Sequence, residues 1–72
     1  HEKITILFKE IFIGLEFLLK LYLNGNLLKK IENETFIHLK SLNLLNFNDN
    51  PIEFINKDAF YSLENLEVLS IR

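Results

Sequence analysis

Three serines, two histidines and ten carboxylates are the side chains of this 72-residue chain that could serve as nucleophiles, bases or metal ligands. Nucleophilic catalysis needs a hydroxyl or thiol beside a base that a third group holds in place. Ser41, Ser62 and Ser70 fall at three different places of the chain's periodic frame, and there is no cysteine. Glu32, Glu34, Glu53 and Asp58 sit in polar stretches that read as solvated turns. Gly14 and Gly25 stand alone, so no glycine-rich loop is available to cradle a phosphate. His38 has no cysteine and no second histidine at metal-ligand spacing, and reads as a surface residue; His1 is terminal. The expectation is a protein with no catalytic centre, no cofactor and no bound metal. One triplet does carry chemistry: Asn33-Glu34-Thr35 is an acceptor sequence for N-glycosylation.

Composition narrows the class. The net charge is −2 with both signs interspersed. No basic stripe marks a nucleic-acid or acidic-membrane surface. Hydrophobic residues make up 49% of the chain, with only two glycines and one proline, which favours folding over disorder. The stretch Ile4–Leu23 is apolar enough to raise the question of a membrane span, but it contains Lys9, Glu10, Glu16 and Lys20. Four charges near a helix centre cost on the order of 10 kcal/mol, more than the apolar residues return. We therefore expect no membrane contact by this segment. No signal peptide is recognisable.

The element that must position any site is a repeat. Aligned on Asn26, large apolar residues stand at Leu18, Leu21, Leu23, Leu28, Ile31, Phe36, Leu39 and Leu42. Aligned on Asn50, the same offsets give Leu42, Leu45, Phe47, Ile52, Ile55, Phe60, Leu63 and Leu66. Ile4, Leu7, Phe12, Leu15 and Leu18 extend the frame backward, and Leu66, Leu69 and Ile71 extend it forward. Glu2 stands where the asparagine belongs. Phe12, Phe36 and Phe60 form a column at a strict 24-residue spacing. Such long-range register is what a solenoid needs, because each coil stacks its side chains on those of the next. The frame divides the chain into a partial repeat (1–17), two full repeats (18–41 and 42–65) and a second partial repeat (66–72).

The runs LLKLYLNGNLLKKI (18–31) and LNLLNFNDNPIEFI (42–55) resemble the leucine-rich repeat signature L-x-x-L-x-L-x-x-N-x-L. The segment DAFYSLENLEVLSI (58–71) is similar to the tail of the 24-residue class common in extracellular animal proteins such as Toll-like receptors, Slit-type guidance proteins and chaoptin. The resemblance implies an α/β solenoid of about three coils, with a parallel β-sheet on the concave side and an irregular or short-helical convex side. Strands are expected near Lys20–Asn24, Leu44–Asn48 and Val68–Arg72, where apolar residues two apart point the same way. Helical turns are expected near Thr35–Leu39 and Ala59–Leu63. Asn26 and Asn50 read as structural: where the chain leaves each strand, an amide can supply both donor and acceptor to stranded backbone groups. Pro51 fits the following turn, where a missing N–H is tolerable. Phe8, Phe17 and Phe54 lie off the main columns and read as satellite core or as contacts to flanking segments. Neither end carries a polar or cysteine-rich cap, which leads us to expect a piece of a longer array.

Across the expected strands run three outward rows: Lys20, Leu44, Val68; then Tyr22, Asn46, Ser70; then Asn24, Asn48, Arg72. Tyr22 beside exposed aliphatic residues is the pattern of an interface anchor, although such residues also simply pack well across strands. The resemblance implies a protein-binding module of an extracellular or cell-surface receptor that recognises a protein partner through its concave sheet, with Asn33 as a glycosylation site. Two other readings stand beside it: a cytoplasmic docking arm of a larger enzyme, which the absence of cysteine favours, and a spacer that binds nothing.

Overall fold

A computed structural model describes residues 2–72; His1, which opens the first partial repeat, lies outside the described residues. Five short strands follow one 3-10 turn at Lys9–Phe12: β1 (Lys20–Tyr22), β2 (Lys30–Ile31), β3 (Leu44–Asn46), β4 (Phe54–Ile55) and β5 (Val68–Ser70). They form two parallel sheets, β1-β3-β5 and β2-β4. Parallel pairing joins residues a whole coil apart: Lys20 pairs with Leu44 and Leu44 with Val68, Leu21 with Leu45 and Leu45 with Leu69. The 24-residue sequence period is therefore the hydrogen-bonding register of the sheet.

The three main strands span three residues each, where five were expected. Their ladder nevertheless continues through single backbone bonds. The Leu23 N–H donates to the Asn46 carbonyl at 2.8 Å and the Gly25 N–H to that of Asn48 at 2.9 Å; one coil on, Phe47 donates to Ser70 and Asp49 to Arg72, both at 2.8 Å. Extended geometry stops sooner because the chain turns at Gly25 (φ 73°) and Asp49 (φ 62°), both in the left-handed region. The second sheet was not foreseen. Stacking brings Lys30–Ile31 alongside Phe54–Ile55, and the Asn56 N–H donates to the Ile31 carbonyl at 2.8 Å. A two-residue strand leaves no periodic signature in a sequence.

No helix forms over Thr35–Leu39 or Ala59–Leu63. These stretches run as successive turns, closed by single bonds such as Leu39 N–H to the Phe36 carbonyl (3.0 Å) and Leu63 N–H to that of Phe60 (3.1 Å). Only the corresponding place in the first partial repeat winds into a 3-10 turn.

The core lies at mid-chain. Leu28, Ile31, Phe36, Leu39, Leu42, Leu45 and Phe47 are almost wholly buried. The phenylalanine column packs as drawn from the spacing, with the Phe36 ring 5.8 Å from Phe12 and 6.0 Å from Phe60. Phe47 inserts beside it at 5.6 Å from Phe36 and 6.2 Å from Phe60. Residues at the same repeat offsets nearer the ends are more open: Ile4, Leu15, Ile55, Leu69 and Ile71 are exposed and Phe60 is half-buried. Many positions in the end coils lack a neighbour on one side and stay open, although Leu7, Phe12, Ala59 and Leu63 are buried there. Phe8, Phe17 and Phe54 are exposed, so the satellite-core reading of them does not hold. Among the described residues, no helix is long and apolar enough to cross a membrane.

Candidate binding face

The three-stranded sheet brings the expected rows together. Lys20, Leu44 and Val68 are cross-strand neighbours, as are Tyr22, Asn46 and Ser70. Alternation along each strand turns Leu21 and Leu45 inward and leaves these rows on the outer face. Tyr22 is 58% exposed and Val68 48%. Lys20 is exposed and Leu44 half-buried between its neighbours. A tyrosine and a valine this open leave about half of their surface uncovered on the sheet.

The third row lies beyond the strands, yet the ladder bonds through Asn48 and Arg72 hold its backbone in step. Asn24 and Arg72 are exposed; Asn48 is half-buried. Side chains knit the polar part of the face. The Asn48 N–H donates to the Asn46 Oδ1 at 2.8 Å, and the Ser70 hydroxyl donates to the Asn48 Oδ1 at 2.8 Å. With both side-chain oxygens engaged, Asn46 and Asn48 have their amide NH2 groups left to offer as donors. Ser70 gives its proton to an amide oxygen rather than to a base, which is no arrangement for a nucleophile.

Behind the face, two asparagines tie the coils together. Asn50 Nδ2 donates to the carbonyls of Leu23 (2.8 Å) and Phe47 (3.0 Å), and its Oδ1 accepts the Leu28 N–H at 3.0 Å. Asn26 Nδ2 donates to the same Leu23 carbonyl at 2.9 Å, and its Oδ1 accepts the Ile4 N–H at 2.9 Å. Each amide thus serves its own coil and the one before it. No buried side-chain polar atom among the described residues lacks a partner. Asn65, whose Nδ2 donates to the Lys40 carbonyl at 3.2 Å, is a further inter-coil tie that the sequence reading missed. Its repeat equivalents are Ser41 and Phe17, so no column of like residues marks it.

The remaining sequence candidates lie elsewhere. Asn33 is exposed on the turn after β2, while Thr35 is buried and its hydroxyl donates to the Glu32 carbonyl at 3.0 Å. His38 is half-buried rather than a free surface residue. Among the described residues, no group of three or more histidines, cysteines and carboxylates is placed to hold a metal ion. The surface hollows include two away from the three-stranded sheet. One is bounded by Asn33, Ile37, Asp58 and Tyr61, the other by Ile6, Leu27, Lys29 and Lys30. Neither includes a residue of the three rows.

A protein-family model described as leucine rich repeat matches residues 1–52 and again 16–72, two overlapping spans that together take in the whole chain. Comparison with curated proteins and with solved structures returns no match. Repeats of this kind are generally protein-interaction modules without catalytic activity. The parallel strands paired 24 residues apart, the asparagines that tie coil to coil and the family match over the full length carry the same conclusion: the chain belongs to the leucine-rich repeat family.

Proposed function

We propose that the chain is a protein-binding module of an extracellular or cell-surface leucine-rich repeat protein, and that it recognises a protein partner through the outer, concave face of its three-stranded sheet. The observation that carries this reading is the row Tyr22, Asn46, Ser70 beside the row Lys20, Leu44, Val68, in register and with Tyr22 largely open. The strands and the Asn46–Asn48–Ser70 hydrogen bonds hold these groups before any partner arrives, so little conformational freedom is lost on binding. Lys20 and Arg72 give the rows two cations and no carboxylate, so an acidic or aromatic patch is the complementary surface.

The test is a panel of purified secreted proteins and receptor ectodomains probed with the chain and with two variants. Tyr22→Ala removes the proposed anchor. Tyr61→Ala removes a still more exposed tyrosine outside the sheet. Loss of a hot-spot aromatic costs about 2 kcal/mol or more, roughly thirtyfold in affinity. Weakening of that size with Tyr22→Ala but not with Tyr61→Ala supports the reading. Equal binding by all three proteins places the contact elsewhere. Binding confined to cytoplasmic enzymes in a parallel panel favours the docking-arm reading.

A further inference from the structure

The triplet Asn33-Glu34-Thr35 plays no part in the face described above, and it is the only N-x-Ser/Thr acceptor triplet in the sequence. Its two chemically important residues are in opposite situations. Asn33 is exposed, on a turn outside the three-stranded sheet. Thr35 is 5% exposed, and its Oγ1 donates to the Glu32 carbonyl at 3.0 Å. The residue between them, Glu34, lies in the left-handed region at φ 63°, and its carboxylate meets the Lys9 ammonium at 3.4 Å. The triplet is thus folded into a bent turn with its hydroxyl turned inward.

We propose that Asn33 is an N-glycan acceptor that is modified only before this turn folds. An acceptor triplet requires serine or threonine at its third place because the transferase reads that hydroxyl. In the folded chain the hydroxyl is buried and already donating, and the backbone is bent around Glu34, so the enzyme meets neither the group nor an extended strand. In the nascent chain both are free. The reaction itself is a substitution. The Asn33 amide nitrogen attacks the anomeric carbon of a polyprenyl-diphosphate oligosaccharide and a C–N bond forms. The C–O bond to the diphosphate breaks, the diphosphate leaves with the electron pair, and one amide proton passes to a base of the transferase. Nothing is oxidised or reduced. Once attached, the first sugar projects from an exposed position and leaves the buried core undisturbed. It emerges beside a shallow hollow whose wall includes the open ring of Tyr61, an apolar face for a sugar to pack on.

The extracellular placement proposed above decides only whether the natural chain meets the transferase; the site and its timing can be tested apart from it. In the first experiment the chain, behind a cleavable secretion signal, is translated in the presence of microsomes. We expect a single mobility shift, removed by peptide N-glycosidase, absent from Asn33→Gln and Thr35→Ala, and retained by Thr35→Ser. No shift in the wild-type chain, or a shift that survives Asn33→Gln, overturns the site. In the second, purified folded chain is mixed with solubilised transferase and lipid-linked oligosaccharide. The comparison is the full-length Asn50→Ala variant, which keeps the triplet but loses the Asn50 bonds to Leu23, Leu28 and Phe47. We expect the wild type to stay unmodified and Asn50→Ala to be modified in proportion to its unfolded population. Equal modification of both proteins, with circular dichroism showing that the wild type is folded and the variant is not, overturns the timing.

Discussion

Replacing Asn50 by alanine should cost far more stability than the same change at Asn26, although the two residues occupy the same place in successive repeats. Two backbone groups depend on Asn50 alone: the N–H of Leu28, which is 0% exposed, and the carbonyl of Phe47, which is 1% exposed. The Leu23 carbonyl keeps its bond from Asn26. An orphaned buried polar group costs about 1–3 kcal/mol, so two orphans cost about 2–6 kcal/mol. A chain of this length has on the order of 4–11 kcal/mol in total. In Asn26→Ala, by contrast, the Leu23 carbonyl keeps its bond from Asn50, and the Ile4 N–H belongs to a residue 41% exposed, where water can take over. That loss should stay near 1 kcal/mol. The assay is urea unfolding followed by far-ultraviolet circular dichroism. With a slope of about 1 kcal/mol/M for a small protein, Asn50→Ala should lower the midpoint by about 2 M or more, or leave the chain unfolded in buffer; Asn26→Ala should lower it by about 1 M. Equal shifts, or a larger one at Asn26, would refute the argument that cost follows from which buried groups lose their only partner.

The same titration checks two further expectations. Gly25 sits at φ 73° with open space where a Cβ would go, so Gly25→Ala should cost about 1–2 kcal/mol through backbone conformation alone, and Asn, which tolerates that region, should restore most of it. Asp49 holds the same repeat position at φ 62°, and Asp49→Gly should therefore be neutral or stabilising by up to about 1 kcal/mol, against the usual cost of an added glycine. Phe36, buried among three other rings, should cost about 3–5 kcal/mol as Phe36→Ala, whereas half-buried Phe60 should cost less; equal losses would mean that the column is not covered from both sides as described.

Much of this architecture was legible because a stacked repeat writes its contacts as spacing. Residues that touch in space stand 24 apart in sequence, so Phe12, Phe36 and Phe60, the paired rows of the sheet and the positions of Asn26 and Asn50 could all be read from offsets alone. The same logic located the outer face, since alternation in a strand sends Tyr22 and Asn46 the opposite way from Leu21 and Leu45. What escaped either has no counterpart in the other coils or is too short to leave a signal. The tie from Asn65 to the Lys40 carbonyl has no counterpart in the other coils, and the two-residue strands β2 and β4 are too short to carry a period.

The sequence by itself determined the register, the identity of the stacked columns and the side of each strand that faces out, because these follow from a periodicity that every coil must share. Only the tertiary structure decided which members of a column are sealed. Leu45 is buried while Leu69, at the same repeat position, is exposed; Asn50 serves buried groups while Asn26 serves one that water reaches; and Asn33 and Thr35, two residues apart, lie on opposite sides of the surface. Burial depends on how many neighbours cover a group in three dimensions, and residues with the same place in a repeat need not have the same neighbours.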